Sequence, residues 1–193
     1  MMKSMDDAVG TIMKTLDDEE LSDNTVVIFT SDNGGERFSD MGEYSGAKPI
    51  LKEGGIKVPA FIRWPGNIPD NTVTEQPIIT MDWTATILAL TNTKPDRRFP
   101  LDGINVMPVI TGRKRGFART FYWRVTQRNQ QKAIRDGYWK YLKDEKGEYL
   151  FNVSLDRGEK TDLKEREKQI FERLKQKYSE WEKTVLEPVP LAK

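Results

Sequence analysis

The sequence predicts an α/β protein: a parallel or mixed sheet with helices, followed by a small antiparallel sheet and a long C-terminal helix. Three observations predict it. The run Thr25-Val26-Val27-Ile28-Phe29-Thr30 is β-branched and aromatic without alternation, the pattern of a strand covered on both faces. Met2, Met5, Val9, Ile12, Met13 and Leu16 recur at three- and four-residue steps just before it, which predicts an amphipathic helix. Thr120–Val125, Lys132–Arg135, Tyr138–Leu142 and Glu148–Val153 are short strand-like runs, and they precede one long helical repeat.

The first helix ends in Asp17-Asp18-Glu19-Glu20, and the buried strand follows. A glycine-rich stretch from Ser31 to Gly55 leads to a second apolar strand over Lys57–Trp64, closed by Pro65-Gly66-Asn67. A short strand is expected around Pro77–Thr80. A helix then runs from about Asp82 to Leu90, with Asp82 placed to cap its N-terminus. Thr91–Asp102 is polar and proline-containing, hence a loop. Asp144-Glu145-Lys146-Gly147 separates the last two strands as a hairpin turn. Leu163, Ile170, Leu174, Tyr178, Trp181 and Val185 mark one face of the terminal helix, and opposite charges at i,i+4 dress the other. The order divides into an α/β piece, residues 1–112, and a C-terminal subdomain, residues 113–193. The apolar strand asks for more neighbours than the chain supplies, so the sheet reads as part of a larger one.

Composition excludes several chemistries. The chain contains no cysteine and no histidine. Disulfides, Cys/His zinc sites, a thiol nucleophile and a Ser-His-Asp triad are therefore absent from it. Lys and Arg total 31 against 30 Asp and Glu, a net charge of +1, which gives no general attraction to nucleic acid or anionic membranes. No apolar run approaches the ~18 residues of a membrane span. The first residues do not read as a signal peptide, because no apolar stretch follows Lys3.

Oxygen donors and one amine carry the remaining interest. Ser31-Asp32-Asn33-Gly34-Gly35 ends the buried strand, at the carboxyl end where open α/β sheets bind ligands. Asp32 and Asn33 offer hard oxygens suited to Ca²⁺ or Mg²⁺. Asp32-Asn33-Gly34-Gly35 also spells an ordinary turn. Downstream, Lys48 stands in Gly46-Ala47-Lys48, six residues before Gly54-Gly55. A loop lysine by itself is most often only a solvated charge. Glu53 has the choice of a basic neighbour or the backbone as partner, and no catalytic role.

The ordered set of motifs resembles the sulfatase family of the alkaline-phosphatase-like superfamily. The strand ending in Ser31-Asp32-Asn33-Gly34 is similar to the family's, as are Lys48 ahead of Gly54-Gly55, then Ile56-Lys57-Val58-Pro59 and Trp64-Pro65-Gly66. Met5–Gly10, Met81–Leu88, Leu101–Pro108, Arg135–Tyr141 and Leu150–Asp162 also look like family segments, so the similarity spans essentially the whole chain. Lys57 stands where Arg is usual, and Ala85 where Pro is usual. The resemblance implies that Asp32 and Asn33 are the late pair of divalent-metal ligands, with Ca²⁺ usual and Mg²⁺ an option. It implies that Lys48 contacts the sulfate ester in catalysis. The substrate so implied is a sulfate monoester. The family's nucleophile, a formylglycine made from Cys or Ser in Cys/Ser-x-Pro-x-Arg, has no counterpart here. Thr93-Lys94-Pro95-Asp96-Arg97 mimics that motif but follows the metal strand instead of preceding it.

Taken together these features lead us to expect a C-terminal portion of a sulfatase-like hydrolase that is inactive alone. Partners would be a missing N-terminal half or a second copy. Two further readings are a noncatalytic docking module and a phosphoesterase of the same superfamily, the latter disfavoured by the lack of histidine. The residues give no compartment signal, and the resemblance points to the periplasm or the exterior.

Overall fold

The structure is a computed structural model that describes residues 2–36, 38–126 and 130–187. It is mixed α/β, with a four-stranded antiparallel sheet and a C-terminal helix. Its contacts form two compact units, each assembled from two stretches of chain. Residues up to Ser31 group with Pro59–Phe117, and Asp32–Val58 group with the chain from Ala118 onward.

In the first unit, α1 spans Met2–Asp18. Its periodic apolar residues define a face, yet none is fully buried, and Met2, Met5 and Ile12 are exposed. Lys3–Asp7 and Lys14–Asp18 pair at i,i+4 on the polar side. The acidic end is tied down by Arg63, whose guanidinium lies 3.3 Å from the Asp17 carboxylate. Strand β1, Val27–Thr30, pairs with β2, Ala60–Arg63. The pairing is antiparallel, Val27 opposite Arg63 and Thr30 opposite Ala60, where a parallel neighbour was expected. An apolar run reports that both faces want cover, not the direction of its neighbours. Direction follows the chain path, and Gly34 N–H donating to the Gly55 carbonyl at 2.9 Å returns the chain beside its point of departure. Phe29 and Phe61 remain 38% and 64% exposed, so this strand pair lacks the cover its composition calls for.

No strand forms at Pro77–Thr80. The N–H of Ile79 instead donates to Asp82 Oδ2 at 2.9 Å, making the turn that starts α3, Met81–Leu90. Asp82 thus lies inside the helix and not at its N-cap. Its other oxygen accepts from Ile104 N–H at 2.9 Å, and Thr86 Oγ1 accepts from Val106 N–H at 3.0 Å. Both side chains are fully buried, and these bonds satisfy the Asp82 carboxylate and the Thr86 hydroxyl. They dock the Leu101–Val106 loop on α3, ahead of the one-turn helix α4, Met107–Ile110. Gly103 permits that contact, since a Cβ there would stand 2.1 Å from the Met81 carbonyl oxygen.

The second unit holds the meander β3–β4–β5–β6, formed by Thr120–Val125, Gln131–Asp136, Trp139–Asp144 and Gly147–Asn152. Asp144 Oδ1 accepts from the N–H groups of Lys146 and Gly147, fixing the expected hairpin turn. Helix α5, Lys168–Glu182, packs Phe171, Leu174 and Tyr178 on Ile134, Tyr141 and Leu150. Ala133, Leu142, Phe151 and Val153 face the other way and are covered by Leu51. Each large apolar side chain so buried contributes about 1.5–3 kcal/mol, and both faces of this sheet draw on that term. The one-turn helix α2, Glu53–Ile56, belongs to the covering segment.

Candidate functional site

Asp32 and Asn33 follow β1 in a bend, Asp32 exposed and Asn33 half-buried. The chain then dives into close backbone packing. A Cβ on Gly34 would stand 1.9 Å from the Gly54 carbonyl oxygen. One on Gly55 would stand 1.9 Å from the Ile50 carbonyl oxygen, and one on Gly54 within 2.5 Å of the Ser45 carbonyl. Three glycines are therefore required for the backbone segments 34–35, 45–50 and 54–55 to touch. Gly54 N–H donates to the Ser45 carbonyl at 2.8 Å, and Lys48 N–H donates to the Gly35 carbonyl at 3.0 Å. Lys48 is thus joined by a backbone hydrogen bond to a residue two positions after Asn33. Its side chain is 47% exposed, with Nζ 3.7 Å from Glu36 Oε1.

Behind this loop is a buried set of charges that sequence reasoning did not assemble. Lys140 Nζ, fully buried, lies 3.0 Å from Glu53 Oε1 and 2.9 Å from Glu159 Oε1. Arg135 reaches the other Glu53 oxygen at 3.5 Å. Glu159 Oε2 accepts the N–H of Glu53 at 2.6 Å. Glu53 therefore takes basic partners, one of the two roles expected of it. Burial pushes the Glu159 carboxyl above the usual carboxylate range, against the lowering pull of Lys140. The only signal in the sequence is Lys140 between two aromatics in a strand that has both faces buried.

Two open grooves, of about 690 and 490 Å³, lie on the second unit. They are lined by residues of β3–β6 and α5, with Ile50 and Lys52, and neither is lined by Asp32, Asn33 or Lys48.

The donors at Asp32 and Asn33 fit a hard divalent cation in kind. They fall short in number, because Ca²⁺ takes six to eight oxygens and the described residues contain no cluster of three or more acidic, His or Cys side chains able to hold a metal. Such an ion would take these two oxygens and need others from outside this set.

The sulfatase family model matches residues 1–93. Over this stretch the chain is similar to the sulfatases. The human sulfatase relative N-acetylgalactosamine-6-sulfatase is 33% identical over 129 residues, which is 64% of this chain and 25% of that enzyme. Steryl-sulfatase of Rattus norvegicus is 37% identical over 121 residues, 58% of this chain and 21% of that enzyme. The crystal structure of Ps i-CgsB superposes with a TM-score of 0.84 at 28% identity, covering 94% of this chain and 41% of that one. The chain spans about a quarter of the length of these curated sulfatases.

Proposed function

We propose that this chain supplies the later metal ligands and the anion-binding lysine of a sulfatase-type hydrolase acting on sulfate monoesters. Asp32 and Asn33 contribute two oxygens to a divalent cation, Ca²⁺ in the preferred reading. Lys48 holds an oxygen of the sulfate group and offsets the negative charge that develops as the ester bond breaks. When bound, the cation supplies Lewis-acid polarisation of that group. The observation that carries the reading is the Lys48 N–H bond to Gly35, which brings the amine's backbone beside the strand end bearing both oxygens.

Neither Cys nor a Ser-x-Pro-x-Arg motif occurs in the sequence, so the nucleophile has to come from outside these 193 residues and the chain alone turns over no sulfate ester. The exposed Phe29 and Phe61, with ring centroids 6.3 Å apart, support a packing surface for the rest of a catalytic domain or for a second copy.

Titration of the full chain with inorganic sulfate in excess Ca²⁺, followed through amide chemical shifts, tests this. The Lys48 and Gly35 signals move, and Lys48→Ala weakens binding by about tenfold or more, the ~1.5–3 kcal/mol of a charge-assisted contact. Equal affinity in Lys48→Ala rejects the role of the lysine.

A further inference from the structure

Three consecutive residues of the turn after β6 grip both legs of the loop that carries Lys48. Arg157 pairs with Glu43 at 2.7 Å. The Gly158 carbonyl accepts the Ser45 hydroxyl. The Glu159 carbonyl accepts Lys52 Nζ at 3.2 Å, and its carboxylate accepts Glu53 N–H at 2.6 Å. Residues 43 and 45 lie before Lys48 in sequence, and residues 52 and 53 lie after it. The middle of the loop is a tight turn, with Ile50 N–H bonded to the Ala47 carbonyl at 2.7 Å. Leu51 N–H is taken by the buried Gln131 Oε1 at 2.9 Å.

We propose that Glu159 is a positioning residue for Lys48: clamped by the buried Lys140, its carboxylate fixes the 45–53 loop and so sets where the Lys48 amine stands. This rests on the anion-binding role given to Lys48 above.

Stability is a poor explanation for the arrangement. Glu53, Glu159 and Lys140 are buried charges, with Arg135 half-buried beside them, and well-packed apolar residues usually stabilise a core at least as well. Buried ion sets are better suited to fixing register. Here the register in question is that of a loop against a sheet, more than 80 residues apart in sequence. Glu159 also adopts a left-handed backbone, φ +50°, which costs energy in a non-glycine residue. That conformation accompanies a carboxylate and a carbonyl that reach the same leg of the loop.

The test compares Glu159→Gln with wild type in the full chain. Glutamine keeps the shape and an acceptor for Glu53 N–H while removing the charge held by Lys140. Amide hydrogen exchange is read at Lys48 and, as the stability control, at Tyr141 and Leu142 of β5. The Lys48 amide is expected to exchange about tenfold faster or more while the β5 amides change less than about threefold. Sulfate affinity falls with it. Unchanged Lys48 protection overturns the proposal, and so does equal loosening of Lys48 and β5, which is the mark of a purely structural charge. If Glu159→Gln does not fold, Ser45→Ala, which removes only the hydroxyl bond to Gly158, carries the same readout with the same two adverse outcomes. Failure of wild type to bind sulfate at Lys48 would reject the proposed function, whereas the exchange comparison still judges the positioning role.

Discussion

Lys140→Met lowers the unfolding free energy by about 3–5 kcal/mol, the range for removing one partner of a buried ion set. Methionine conserves the length and apolar character of the stem, so little of this loss is a cavity term. The loss comes from charge. Glu53 and Glu159, 3% and 0% exposed, would share the interior with Arg135 alone, 3.5 Å from one of them. The check is urea denaturation, with the midpoint moved down and the slope unchanged. Lys3→Met is the control: its partner Asp7 sits one helical turn away in solvent, and exposed pairs of this kind contribute less than about 0.5 kcal/mol. A Lys140→Met loss below about 1 kcal/mol would mean that the buried charges do not hold the fold.

Two alanine substitutions of glycine have opposite signs. Gly55→Ala puts a methyl 1.9 Å from the Ile50 carbonyl oxygen. The obstacle is backbone, so no side chain can swing aside, and the cost is about 3 kcal/mol or more. A chain of this size then melts roughly 6–12 °C lower. Gly10→Ala meets nothing within 4 Å in the middle of α1, and alanine there stabilises by about 0.5–1 kcal/mol. Thermal unfolding of both variants decides the matter. A Gly55→Ala protein that melts with wild type would show that the 45–55 loop is not packed as described.

Local patterns in the sequence predicted most elements. The three- and four-residue steps of α1 and α5 and the β-branched runs of β3–β6 are short-range signals, and Asp144 to Gly147 marks its turn by composition. Signals that depend on distant partners failed. Asp82 stands where an N-cap would, yet it bonds to Ile79 and to Ile104, 22 residues away. Pro77–Thr80 is apolar enough for a strand, but its Ile79 N–H is taken by a side chain. The direction of β2 depends on the path of a 29-residue excursion, which no local pattern reports.

The candidate site divides the same way. Asp32, Asn33 and Lys48 stand out in the sequence by residue type and motif order alone. Gly34, Gly54 and Gly55 were visible as letters, and only the structure shows which carbonyl each one admits. Lys140 and Glu159 were not legible, being ordinary surface residues by type that meet Glu53 from 87 and 106 positions away. Their role emerges only when the sheet and the loop are placed together.

The most direct measurement concerns whether the two oxygens and the amine share one place. The ¹⁵N-labelled chain is titrated with Mn²⁺, whose unpaired electrons broaden nearby amide signals. The account predicts that Asp32, Asn33 and Lys48 broaden together at the lowest metal concentrations, and that Asp32→Ala combined with Asn33→Ala abolishes the effect at all three. Broadening that begins instead at Asp17–Glu20, or that reaches Asp32 and leaves Lys48 sharp, would contradict it.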